Sequence, residues 1–502
     1  MQYLLGIDNG GTYSKAAIFS TTGQQMGKGN ARVPLFATQA GFRERDLEEL
    51  WQANVEAIQQ ALANSNVAPK QIAGISFSGH GKGLYLLDKA GQNLGRGILS
   101  TDTRAEDIVH IWRENGTETA ARVYTHQPCN ACQPVTLLRW LKEYRSEIYV
   151  RIGAVLSVND YLVYRLTGSI IAERTLASGS GFYDFSSDSF PPELLKLYGL
   201  EEIQSALPKL YVSTDVIGTL SAEAAKVTGL PAGTPVAAGM FDIDACGLAS
   251  GMVTEAELAV IAGTWSINEY IASHLVEDEV STRNSCFAIR GKFLVEESSP
   301  TSAGNLEWWL RMQLAEEKRQ AESAGRSIYE ITNAWVASIN PARNPVVYFP
   351  FLNGSATSGK ARGVFYGLTE STNRAQMTAA LYEGVVFSHR RHLEKLLAHR
   401  EAPQVIRLSG GAANSPVWVQ LFADILQIPI VTITGKELGA LGAAMAAGVA
   451  VGIYHDFVEA VKDCVAEGQK ILPRTEMQSI YTSKYHQYVT LEDNLQKIWE
   501  TS

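Results

Sequence analysis

A chain of 502 residues is longer than one hydrophobic core usually supports, so two domains with a cleft between them are expected. Hydrophobic residues make up 46% and charged residues 19%, an ordinary globular balance that argues against a disordered tail or a fibrous repeat. The formal net charge is −9, from 43 Lys and Arg against 52 Asp and Glu; with no dense basic run, the chain lacks the electrostatic footprint of a nucleic-acid binder, and anionic ligands must be held by local donors.

The N-terminus, MQYLLGIDNGG, has a short apolar run ending in Asp and no basic n-region or cleavage-like segment, so it reads as a buried strand. YLLGID is that strand, NGGTYS a turn, KAAIFS a second strand, and TTGQQ a hairpin turn into a third. In DLEELWQANVEAIQQALANS the positions Leu47, Leu50, Trp51, Ile58 and Leu62 recur at helical spacing, with Asp46 placed to cap the start. Strands follow at IAGISFS and LYLLD, then helical and irregular segments to about residue 234. There GTPVAAGMFDIDACGLASG brings a strand, a turn and a small-residue helix. ELAVIAGTWSINEYIA repeats the strand, glycine turn and strand plan of YLLGIDNGGTYSKAAIF, which predicts a duplicated α/β architecture. VIRLSGGAANSPVWVQLFADIL reads as a strand, a double glycine and a helix with Trp418, Leu421, Phe422, Ile425 and Leu426 on one face.

No stretch reaches the roughly 18 uninterrupted apolar residues of a membrane span, and LGALGAAMAAGVAVG reads as small-residue helix. Five Cys cannot all pair, and a soluble cytoplasmic protein with reduced thiols is expected, with no nucleic-acid or membrane partner. Cys129 and Cys132 form a CxxC without a second pair, so packing thiols are the default and a metal or redox role the alternative.

The chemistry concentrates in the turns. Gly10, Gly11 and Thr12 expose successive N–H groups that a phosphate can approach, Lys15 can neutralise a phosphate oxygen, and Asp8 at the strand end suits a Mg²⁺ held through water. Gly263 and Thr264 in the second hairpin suit the same task from the other side. Gly410 and Gly411, where a strand meets a helix, fit either a tight turn or close approach to a planar base, and Asn414 either contacts adenine or caps the helix. Asp242 and Asp244, two residues apart at a helix start, point to nearly opposite sides, so only one faces a cleft. Asp242 is chosen as the general base that accepts a hydroxyl proton, with an N-cap as the alternative. His80 and Lys82 in SGHGKG, and Asp102 and Arg104 in STDTRA, are either hydroxyl ligands or solvated loop residues.

These residues resemble the FGGY carbohydrate kinases over about residues 3 to 455. GVFYGLTESTNRAQMTAALYEGV, from Gly363 to Val385, is similar to the C-terminal signature of that family; the Asp8–Lys15 turn, GFRERDLEELW, GTWS and LSGGAANSP follow its order. The resemblance implies an actin-like ATPase fold: two ribonuclease-H-like domains, residues 1–248 for sugar and the first phosphate turn and 249–502 for ATP, around a central cleft. It implies ATP as co-substrate with Mg²⁺, Asp242 as catalytic base, Asp8 at the metal, and Gly263, Thr264, Gly304, Gly410, Gly411 and Asn414 on ATP; family habit adds a homodimer. PVTLLRW departs from the N-terminal signature in placing Leu137 where Lys is usual. Gly81 and Lys82 stand where enzymes of the family acting on D-xylulose have a Met-His pair, and the motif set is most similar to the L-xylulose branch. The resemblance therefore implies phosphorylation of L-xylulose, with D-xylulose, ribulose, glycerol or 3-keto-L-gulonate as alternatives. An actin-like ATPase without sugar chemistry is the more distant alternative.

Overall fold

The computed structural model describes residues 1–276, 283–356, 358–433, 435 and 437–501. They form two compact units that interleave along the chain: Met1–Val253 with Ala272–Leu294 and Gly435–Val465, and Thr254–Ile271 with Val295–Thr434 and Ala466–Ser502.

The first unit is built on a seven-stranded sheet in the order Val216–Thr219, Pro235–Ala237, Ile72–Gly79, Tyr3–Asn9, Tyr13–Ser20, Gln25–Arg32, with Met240–Phe241 also on Ile72–Gly79. Tyr3–Asn9 runs antiparallel to Tyr13–Ser20, with Asp8 opposite Lys15, and parallel to Ile72–Gly79, with Asp8 opposite Ser78. Alternation along these strands places different helices on the two faces. Gly27 lies against the helix Leu47–Ala63, where a Cβ would sit 2.6 Å from the Ala61 carbonyl. A Cβ at Gly6 would run into the Ala440 carbonyl of the helix Leu438–Ala450. Gly6 pairs with Ala17 and Gly27 with the adjacent Ile18, so the two helices cover opposite faces. Asp46 caps the first of them as expected, accepting the N–H of Glu48 at 2.8 Å and of Glu49 at 3.1 Å. A second core, around Leu84, Trp112, Leu137, Leu138 and Leu194, gathers the helical region between residues 84 and 206.

The second unit repeats this plan. Its sheet runs Phe293–Ser299, Ser266–Ala272, Glu257–Ala262, Val405–Ser409, Ile430–Ile433, Glu467–Ile471. Glu257–Ala262 is antiparallel to Ser266–Ala272, with Ala262 opposite Ser266, and parallel to Val405–Ser409. Both units thus place an antiparallel hairpin beside a parallel neighbour strand, the duplication the two glycine turns predict. The long helix Arg374–Leu397, opened by a capping box between Asn373 and Gln376, is buried along its central stretch Thr378–His389 and packs with Pro416–Leu426. No helix among the described residues is long and apolar enough to cross a membrane.

Candidate active site

In the first unit three parallel strands end side by side. Asp8 lies opposite Ser78, Asn9 opposite Gly79, and Gly79 opposite Phe241, so the strand ends bring Asp8, the turn after it, the loop from His80 and the residue Asp242 to one edge. In α/β sheets this carboxyl edge is where ligands bind. Asp8 Oδ1 accepts the Ser78 hydroxyl at 2.8 Å, and a Cβ at Gly439 would sit 2.7 Å from the same oxygen, so the helix start closes directly over the carboxylate. Burial raises the Asp8 pKa, and the Lys15 ammonium opposes the rise. Lys15 and Lys28 both reach Glu437, at 3.3 and 3.0 Å.

The turn itself is open. A Cβ at Gly11 would meet nothing within 4 Å, and one at Gly10 only the Tyr13 carbonyl at 3.8 Å. Neither glycine has positive φ. Packing and conformation therefore leave the missing side chains unexplained, while close approach of a phosphate explains them. Beneath the turn, Arg45 Nη2 donates to the carbonyls of Gly11 at 2.9 Å and Gly10 at 3.3 Å.

Asp242 is the first residue of the helix Asp242–Ala249; Phe241 holds the cap position, so the N-cap alternative for Asp242 falls away. The Phe241 N–H donates to Thr175 Oγ1 at 2.8 Å, and that hydroxyl donates to Glu173 at 2.6 Å, which fixes the peptide entering Asp242. Asp244 is fully buried and accepts the Ala288 N–H at 2.8 Å; burial, then the nearby Glu173, raises its pKa. The two carboxylates face different surroundings, as their spacing requires, and Asp242 is the half-buried one.

The expected sugar ligands are less uniform. His80 is buried, with Nε2 3.0 Å from Tyr85 Oη and Nδ1 3.3 Å from the Gly81 carbonyl; burial, then the Arg45 charge, pushes its pKa down to about 3. It is a neutral wall of the loop. Lys82 is half-buried at φ 62°, a left-handed conformation costly for a side-chain-bearing residue. Asp102 and Arg104 are given to each other: the guanidinium bonds both Asp102 oxygens and Glu44, and stacks over Phe42 at 4.0 Å and Trp140 at 5.2 Å. Asp102 also accepts the Arg43 N–H at 2.7 Å, so this pair braces the loop rather than presenting open hydroxyl ligands. A Cβ at Gly81 would sit 2.6 Å from the Phe241 ring, so that ring fills the room a side chain there would need.

The second unit holds a cavity of about 600 Å³, within the usual range for a nucleotide-sized ligand. Gly263, Thr264, Gly304, Gly411 and Asn414, five of the residues expected on ATP, line it. Gly410 does not; its φ of 88° and a Cβ only 2.6 Å from the Ala262 carbonyl make it a structural glycine. Asn414 lines the cavity but is not the helix cap, because Ser415 takes that position and accepts the Trp418 N–H at 3.2 Å. Residues not expected at a ligand site complete the wall, Trp418 among them, which periodicity marked only as core. Trp418 and Tyr382 stack at 4.2 Å, and Asn333 Oδ1 accepts the hydroxyls of Ser415 at 2.7 Å and Tyr382 at 3.2 Å. Tyr329 bonds Glu307 at the rim. An aromatic wall beside oriented amides suits a planar base. Beside Gly263 and Thr264, buried His389 ties the strand Ser266–Ala272 to the segment at Ser302. Its Nδ1 is 2.7 Å from Asn268 Oδ1 and 3.1 Å from Ser266 Oγ, and its Nε2 is 2.8 Å from Ser302 Oγ. Ser302 and Gly304 N–H donate to the carbonyls of Thr264 and Gly263.

A divalent cation fits this donor set in one way. No cluster of three or more His, Cys, Asp or Glu side chains that could cage a metal occurs among the described residues. Asp8, a single carboxylate beside an open phosphate turn, suits an ion that keeps its waters and shares phosphate oxygens, as Mg²⁺ does in phosphotransferases.

Models of the FGGY family of carbohydrate kinases match the chain twice, the N-terminal domain over residues 3–248 and the C-terminal domain over 258–451. A probable L-xylulose kinase of Pasteurella multocida is 38% identical over 98% of this chain and 98% of that one. An L-xylulose/3-keto-L-gulonate kinase of Escherichia coli K12 is 38% identical over 99% and 97%. The crystal structure of ligand-bound xylulose kinase from Lactobacillus acidophilus shares the fold at a TM-score of 0.90, with 23% identity over 100% of both chains. The duplicated α/β architecture expected from the two hairpins, actin-like as the family resemblance implies, is the fold of these sugar kinases. The chain belongs to the FGGY family of carbohydrate kinases and is an ATP-dependent sugar kinase.

Proposed function

We propose that the protein transfers the γ-phosphate of Mg·ATP to a hydroxyl of L-xylulose. The observation that carries the chemistry is the strand edge of the first unit, where Asp242 stands on a helix start aligned with Asp8 and an open glycine turn. The sugar hydroxyl attacks the γ-phosphorus, its P–O bond forms as the bond to the β-phosphate oxygen breaks, and the hydroxyl proton passes to Asp242. Mg²⁺, when bound near Asp8, offsets charge on the phosphate oxygens. Gly10, Gly11, Thr12 and Lys15 hold phosphate oxygens, and Gly263, Thr264, Gly304, Gly411 and Asn414 hold the nucleotide. In this reading residues 1–248 serve the sugar and 249–502 the nucleotide. Five cysteines outside any disulfide suit a cytoplasmic setting, and a homodimer completes the reading, to be tested by sedimentation.

The preference for L-xylulose rests on the two relatives named for it, matched nearly end to end, and on the loop at Gly81. Phe241 occupies the space beside Gly81, which bars a large side chain there, and Lys82 brings a donor without an acceptor. His80, already engaged, shapes the loop, while Asp102 and Arg104 brace their own segment against residues 42–44. ADP release across pentuloses, polyols and 3-keto-L-gulonate tests both reaction and substrate. The expected result is a kcat/KM for L-xylulose at least about tenfold above that for D-xylulose, the worth of roughly one hydrogen bond. Equal rates on the two epimers would remove the L-xylulose assignment and leave the kinase.

A further inference from the structure

Arg45 ends the short strand Glu44–Arg45 and precedes the helix cap Asp46. It is 1% exposed, and among the described residues no carboxylate pairs with it. Among the described residues its side chain hydrogen-bonds only from Nη2 to the carbonyls of Gly10 and Gly11, while Nε and Nη1 are buried without an acceptor. A buried cation left this way is costly, and an apolar side chain of the same length would serve packing better.

The two bonds have a directional consequence. No cis peptide bond occurs among the described residues, and in a trans peptide the carbonyl of one residue and the N–H of the next point in opposite directions. With the Gly10 and Gly11 carbonyls drawn down onto Arg45, the N–H groups of Gly11 and Thr12 point the other way. Neither donates to a protein acceptor among the described residues, and no Cβ stands over Gly11. Two adjacent outward N–H groups over a fixed positive charge form an anion-binding concavity.

We infer that Arg45 is a positioning residue for phosphoryl binding, holding two peptide planes so that the Gly11 and Thr12 N–H groups meet a phosphate oxygen. The inference rests on the reading of this turn as a phosphate site, and the experiment separates the two. Arg45→Met, Arg45→Lys and Gly11→Val are made in the full chain. Each is measured for ligand-free melting temperature, calorimetric affinity for a non-hydrolysable ATP analogue with Mg²⁺, and kcat/KM for ATP and for the sugar. Arg45→Met is expected to melt at or a few degrees above the parent, since a buried unpaired charge is gone, yet to lose at least about tenfold in kcat/KM for ATP. The sugar KM is expected to change by less than about twofold, and Lys, which keeps the charge and a donor, to recover part of the loss. Arg45→Met that melts well below the parent or fails to fold overturns the inference by showing an ordinary structural role, as does an unchanged kcat/KM for ATP. If Gly11→Val weakens the analogue while Arg45→Met does not, the phosphate turn stands and Arg45 is irrelevant to it. If Gly11→Val binds normally, the phosphate reading of the turn itself fails.

Discussion

The turn at Gly10–Thr12 in the first unit and the turn at Gly263–Thr264 in the second share a frame. Each joins two antiparallel strands beside a parallel neighbour, each closes with a glycine N–H on the carbonyl two or three residues on, and each is followed by a half-exposed aromatic, Tyr13 or Trp265. Their chemistry differs. Asp8 faces Lys15 across the first hairpin, whereas the corresponding pair at the second is Ile261 and Ile267. The first turn is tied down by a buried cation, Arg45, and the second by a neutral network around His389. Duplication kept the backbone donors and put the charge on one side. In the proposed reading, proton transfer and metal chemistry belong to the first unit, and holding a nucleotide by neutral donors and rings belongs to the second.

The strongest way to break this division is Asp242→Asn, expected to lower kcat by about 10²–10⁴-fold while affinity for an ATP analogue and the melting temperature stay near the parent's. Near-normal kcat would move the base away from the first unit. Next, Gly263→Val places a side chain where a Cβ meets only the Trp265 carbonyl at 3.9 Å, so the fold should hold while KM for ATP rises at least about tenfold. The same change at Gly439, against the Asp8 carboxylate, should instead lower the melting temperature, and finding the reverse pattern would show that the open glycines are not ligand positions. Asp8→Ala should raise the Mg²⁺ concentration needed for half-maximal activity severalfold and leave the sugar KM alone, read from a metal titration. A titration unchanged from the parent's would remove Asp8 from the metal.

The smallest effect concerns acid stability. Burial pushes the pKa of His389 down to about 3 against an ordinary 6.5, so the unfolded chain takes up a proton that the folded one refuses. Stability from this group is complete above pH 6.5 and is lost as pH falls toward 3, by about 1.4 kcal/mol per pH unit. His389→Gln should flatten the fall in melting temperature between pH 6.5 and 4.5 relative to the parent. A parallel fall in both proteins would mean the histidine is not held neutral.

Much of this was legible before the structure, for definite reasons. Hairpins with glycine turns, the Asp46 cap and the apolar stripe of Pro416–Leu426 are local patterns, and they appear where the periodicity puts them. The split between Asp242 and Asp244 follows from helix geometry alone. What stayed hidden is non-local. Tyr329, Asn333, Tyr382 and Trp418 come from three helices whose faces meet only through tertiary packing, and no spacing rule links them. Arg45 reads in sequence as one more charge before a helix cap; its burial and its missing counter-charge depend on the sheet above it. The pairing of Asp102 with Arg104 was equally invisible, since a loop with two opposite charges is compatible with ligand binding and with a closed ion pair.

The helix Leu438–Ala450 belongs to the first unit although most of the second unit is made before it. A ribosome adding about 5–20 residues per second leaves the sheet face around Gly6 without its cover for roughly 10–40 s after residue 253 has emerged. During that interval the nascent first half is an unfinished surface that carries Leu4, on the same face as Gly6 and against Gly448 in the folded chain. The burden of guarding it falls on chaperones or on the speed of translation, and chains cut short before residue 438 should be cleared as misfolded rather than accumulate as a half-enzyme.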